Sequence, residues 1–119
     1  MVKSGEQPCV AEILDDVDFL NAAVSRGADM LCTATAVPAE RGIIAIYAWG
    51  GVMAGLPGNR KVGKRILAGT FYIVREINGD LYSLDEDDIA RLSFQFRKIK
   101  KYTDDQVIDS WFDGLYFAM

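Results

Sequence analysis

The hydrophobic pattern changes period several times along the chain, and each change marks an element. Residues 8–14 (PCVAEIL) are apolar-rich and near-alternating after Pro8, which predicts a strand. Asp15 and Asp16 then offer caps to a helical run, VDFLNAAVSRG. Val17, Leu20, Ala23 and Val24 share one face of it, and Gly27 stops it. Residues 30–37 (MLCTATAV) alternate and 43–49 (IIAIYAW) are β-branched and aromatic. With PAERG between them they predict an antiparallel hairpin. Residues 66–77 (ILAGTFYIVREI) read as one long strand interrupted at Gly69, a bulge or a point of close backbone approach, and Asn78-Gly79-Asp80 reads as a turn.

Two capped helices close the pattern. Ser83 to Glu86 has the spacing of a capping box, with Asp85, Glu86, Asp87 and Asp88 placed favourably at the positive end of the helix. Ile89, Leu92, Phe96 and Ile99 form its apolar stripe, and Arg97, Lys98, Lys100 and Lys101 follow at its far end. Thr103 to Gln106 is a second box, leading Val107, Ile108, Trp111, Phe112 and Leu115. The order β-α-β-β-β-α-α predicts an α+β fold, a mainly antiparallel sheet of about four strands with helices on one side. No linker or repeat divides residues 1–119, so a single domain is expected.

Composition narrows the function. Half of the 119 residues are apolar, a quarter are charged and the net charge is −4, which describes an ordinary globular chain. A non-specific nucleic-acid binder would be basic. The chain has no histidine and only Cys9 and Cys32. That set excludes His-assisted nucleophilic catalysis, cannot fill a zinc shell and makes a disulfide framework improbable on spacing. No metal, cofactor or catalytic residue is expected. The N-terminus has no apolar run behind Lys3, and the apolar stretch around residues 42–57 is too short and glycine-interrupted to span a bilayer. The expectation is a cytoplasmic protein with no membrane partner.

The chemistry of greatest interest lies in GLPGNRKVGKR (residues 55–65). Gly58-x-x-x-x-Gly63-Lys64 has the spacing of a phosphate-binding loop, but Arg65 replaces the magnesium-binding hydroxyl and a strand follows where a helix is required. What is left is a weaker anion site. Asn59, Arg60, Lys61, Lys64 and Arg65 supply donors, backed by Thr70, and glycines can turn backbone amides inward. Two alternatives stand beside it: a solvated basic loop that protects a sheet edge, and a turn in which Asn59 caps its own backbone and Arg60 pairs with an acidic residue of the sheet. A second candidate surface is aromatic. Trp111, Phe112, Tyr116 and Phe117 crowd the last nine residues; Trp111 and Phe112 can pack on the sheet, while the set as a whole, Tyr116, Phe117 and Met119 above all, can cover a neighbouring subunit or dock on a partner.

Several short motifs together resemble a domain-of-unknown-function family encoded on phages, plasmids and conjugative elements. The turn Ser4-Gly5-Glu6-Gln7-Pro8, the core Gly55-Leu56-Pro57 with Asn59-Arg60, the triplet Gly69-Thr70-Phe71, and Ser83-Leu84 with Ile89 carry the likeness. It spans residues 1–99, and residues 100–119 are an added helical segment. The family brings no established activity. The resemblance implies a small non-enzymatic binding protein of a mobile element, with counter-defence as its setting. Its implied partner is a nucleotide-like molecule held at the GLPGNRKVGKR loop or, alternatively, a host defence protein or second copy held by the aromatic helix.

Overall fold

The computed structural model describes residues 1–112. Among these, α1 is Val17–Val24, β1 Ala34–Glu40, β2 Ile43–Ala48, β3 Gly58–Val62, β4 Arg65–Ala68, β5 Tyr72–Ile77, β6 Asp80–Tyr82, α2 Glu86–Gln95 and α3 Asp104–Phe112. A single 3-10 turn, Gly51–Ala54, joins β2 to β3. The α+β class and antiparallel pairing expected from the sequence are observed. One sheet runs β1-β2-β5-β6, and β3 and β4 form a separate two-stranded ribbon.

β2 explains the layering. Nearly every residue in it is buried, so both of its faces need cover. Ile46, Ala48, Tyr72 and Val74 pack with Val24 of α1 and Val107 of α3, whereas Ile43, Ala45, Tyr47 and Ile73 pack with Leu92 and Phe96 on the α2 side. The helices therefore divide between the two faces instead of gathering on one.

The strands differ from the sequence reading at several places: β1 starts at Ala34 and runs on to Glu40, β3 lies within the segment read as a loop, and β6 follows the Asn78-Gly79 turn where no strand was expected. Residues 8–14 belong to no strand; the N-terminal contribution to the sheet is a single bridge from Val2 to Phe71. The run 66–77 is two strands in different sheets. Gly69, at φ +78, lets the chain change direction while its backbone lies against Leu56, where a Cβ would sit 2.8 Å from Cδ1.

Helix starts follow capping chemistry. Asp16 accepts from the Phe19 amide to begin α1, which leaves Val17 exposed rather than on the buried face. α2 is capped by Asp85 with a reciprocal box to Asp88, two residues later than the Ser83 box; it ends at Gln95, so Ile99 lies beyond it and is exposed. The Thr103–Gln106 box is formed as expected.

Strand edges are closed by side chains. The Ala34 amide, which points away from β2, is taken by Asn21 Oδ1, and Pro38, four residues on along the same outer edge, has no N–H to offer. On β4, the Ile66 amide donates to Ser110 Oγ and its carbonyl accepts from Trp111 Nε1, so α3 replaces a missing strand with two side chains. No helix among the described residues is long and apolar enough to cross a membrane.

Candidate functional site

The GLPGNR segment folds around its own letters. Gly55 ends the 3-10 turn in the left-handed region at φ +82, and Leu56 enters the core. Gly58 lies under α3; a Cβ there would meet Val107 Cγ2 at 2.8 Å and Tyr102 Cβ at 2.9 Å. Asn59 occupies a register shift in β3 and is fully buried at 0 % exposure. Its Nδ2 donates to the Val2 carbonyl (2.9 Å) and the Gly69 carbonyl (2.8 Å), tying the N-terminal segment to the β4–β5 crossing.

Arg60 is 2 % exposed. Its Nε donates to the Phe96 carbonyl (3.1 Å), Nη2 to the Glu6 carbonyl (2.6 Å), and Nη1 to Asn59 Oδ1 (2.6 Å) and more weakly to the Lys3 carbonyl (3.5 Å). No carboxylate of the described residues pairs with it; the ion pairs there belong to Arg75 and Arg91. Its compensation comes from carbonyl dipoles, including Phe96 at the negative end of α2. Burial lowers the Arg60 pKa from the ordinary arginine value, opposed by a smaller influence of Tyr102. The acidic partner expected for Arg60 is thus replaced by backbone carbonyls, and the side chain faces the protein's own interior.

The other proposed loop residues separate from this pair. Thr70 is buried at the crossing between β4 and β5. Lys61, Lys64 and Arg65 are exposed on the β3–β4 hairpin, whose two-residue turn is Gly63-Lys64 with Gly63 at φ +60. Arg65 does not reach outward alone: its guanidinium lies 4.7 Å over the Trp111 ring. The six residues read as one anion site are therefore split, three inside and three outside.

The aromatic candidates divide as well. Trp111 is half-buried, packs on Tyr47 with ring centroids 5.2 Å apart, and is fixed by its bond to Ile66. Burial raises the Tyr47 pKa, with Arg65 opposing. Phe112 is 56 % exposed. Tyr116 and Phe117 lie outside the described residues. Beside α3, Trp49 (69 % exposed) and Met53 (81 % exposed) stand on the turn after β2. Together with Ile108, Trp111 and Phe112 they border an apolar groove of about 420 Å³ floored by Gly51 and Ala68.

Two features escaped the sequence reading. One is the groove's far wall, signalled only by Trp49-Gly50-Gly51-x-Met53, a large aromatic beside residues too small to cover it. The other is Asp88, assigned above to capping alone. Its carboxylate also pairs with Arg75 (2.5 Å) and Arg91 (3.1 Å), and Arg91 reaches on to Glu40. The hydrogen bond from Arg75 holds the Asp88 carboxyl below the usual aspartate range. Asp88 and Arg91 stand three apart on a helix, a readable signal; the Arg75 contact across the sheet is not.

Comparison with protein-family models, with curated proteins and with solved structures finds no match. The likeness to the mobile-element domain rests on the motifs alone, and two of their residues, Asn59 and Arg60, serve the protein's own backbone.

Proposed function

We propose that the protein is a non-enzymatic binding module that takes up an apolar segment of a partner protein in the groove between Trp49, Met53 and α3. The single observation behind this reading is that three large apolar side chains, Trp49, Met53 and Phe112, stand exposed around one groove. An isolated exposed apolar residue is common on any surface; a cluster around a concavity is the usual form of a partner site. The groove also has a rigid base, because Trp111 is held by Tyr47, Arg65 and the Ile66 carbonyl. A bound segment then meets a pre-ordered wall, and less entropy is lost on docking.

Capture of a small anion at the GLPGNRKVGKR loop has less support. Asn59, Arg60 and Thr70 are buried, and the donors of Asn59 and Arg60 serve backbone carbonyls. A host defence protein, in keeping with the mobile-element resemblance, is the partner class we assign. Photocrosslinking tests it. A benzophenone side chain at position 53, in bacterial cells, should give a discrete heavier adduct that Trp49→Lys abolishes. The same label at exposed Ile77 should give none. Equal adducts at both positions, or none at 53, would refute the reading. An adduct of twice the chain mass would reassign the partner as a second copy.

A further inference from the structure

The edge of β5 that faces β6 is paired at both ends and open between them. Phe71 exchanges hydrogen bonds with Val2 (2.8 and 3.1 Å), and Arg75 stands opposite Tyr82. The residue between them with the same orientation is Ile73. Its place in the ladder follows from the Glu76 amide, which donates to the Gly42 carbonyl on the β2 side; alternation then directs Tyr72 and Val74 toward β2, and Ile73 away from it. After Tyr82 the chain turns off into α2, and among the described residues nothing pairs with the Ile73 amide or carbonyl. Yet Ile73 is only 8 % exposed. A buried backbone donor and acceptor without partners is uncommon in folded proteins.

Ile73 lines a cavity of about 520 Å³ together with Val2, Leu81, Leu84, Ile89 and Leu92. Residues 9–15 line it as well, in no helix or strand, and the backbone of 10–15 makes no hydrogen bond to the rest of the described chain. The size is that of a small-molecule site, and beside its apolar walls it offers polar groups that can orient an occupant, with Glu12, Asp15, Ser83 and Ser93 also on its border. A donor and an acceptor on the same side of one extended residue are complementary to another extended residue, as in an antiparallel pair.

We infer that this cavity binds a short apolar peptide, which sets one extended residue against the Ile73 amide and carbonyl and its flanking side chains on the apolar walls. The site is independent of the groove beside Trp49. Amide exchange by NMR reads it directly. In the free protein Ile73 should exchange at least about tenfold faster than Tyr72 and Val74, whose amides are bonded to β2. Millimolar acetyl-Leu-Val-Leu-amide should slow Ile73 severalfold and shift the amides of Leu81 and Ser93. Ser93→Trp, which fills the cavity from α2, should remove both effects. An Ile73 amide already as protected as its neighbours in the free protein would overturn the proposal. So would peptide that leaves its exchange unchanged, or effects that persist in a folded Ser93→Trp protein.

Discussion

Asn59 offers a sharp test of how this fold is held. Truncation by Asn59→Ala leaves the Gly69 carbonyl without its donor, whereas the Val2 carbonyl keeps the Phe71 amide at 3.1 Å. An orphaned buried carbonyl costs about 1–3 kcal/mol, and the lost second bond to Val2 adds about 0.5–1.5 kcal/mol. Arg60 Nη1 also loses its 2.6 Å acceptor and keeps only the long contact to Lys3. The total is roughly 3–5 kcal/mol, a large share of the ~5–15 kcal/mol typical of a domain. Melting should fall by roughly 12–20 °C. The assay is urea unfolding followed by tryptophan fluorescence, with the midpoint shifted and the slope unchanged. Asn59→Asp separates the donors from the shape. It keeps the volume and gives Arg60 a carboxylate, but aims an oxygen at two carbonyls. It should also be strongly destabilised at pH 7. An Asn59→Ala protein within about 0.5 kcal/mol of wild type would refute the reasoning. So would an Asn59→Asp protein as stable as wild type, because pairing with Arg60 would then outweigh the donors.

Three further outcomes are expected. Because Arg75 depresses the Asp88 pKa, the stability that this carboxylate adds is complete above the unfolded aspartate range and is lost as pH falls through its lower folded value. Wild type should therefore exceed Asp88→Asn in urea midpoint at pH 7, with the gap closing in acid; a constant gap from pH 7 to pH 2 counts against the pair. Gly58→Ala drives a methyl into Val107 and Tyr102 and should destabilise by about 1–3 kcal/mol, lifting α3 first. Faster amide exchange in α3 before global unfolding is the readout, and unchanged exchange there would contradict the packing. Trp111→Phe keeps a ring against Tyr47 but loses the bond to the Ile66 carbonyl, and should lower stability by about 1 kcal/mol in thermal melts.

Local chemistry made much of this fold legible. The Thr103–Gln106 box needs only neighbouring letters, and the β1–β2 hairpin needs only two matched runs. What failed depended on distant partners. Residues 8–14 have a strand's pattern, but a strand exists only where an edge is open along its length, and β5 is already taken by β6 and Val2. The Ser83 and Asp85 boxes overlap in sequence; the second is formed, with Asp88 bound to Asp85 and also to Arg75, thirteen residues away. The letters of GLPGNR have the look of a site and prove to be joints. Asn59 reaches Val2 and Arg60 reaches Glu6 and Phe96, separations of 57, 54 and 36 residues that no local pattern records.

Those separations bear on when the protein can finish folding. Arg60 must stay hydrated until the N-terminal segment and the end of α2 are both in place, since a guanidinium stripped of water with half its acceptors missing is costly. It therefore closes late, after the hairpins and helices have formed from nearby residues. During synthesis, β3 would wait for residue 96 to leave the ribosome before its arginine could be enclosed. A lock set after the rate-limiting step governs escape more than entry. Arg60→Met should hasten unfolding far more than it slows refolding in stopped-flow measurements, and the reverse would place this contact in the folding nucleus.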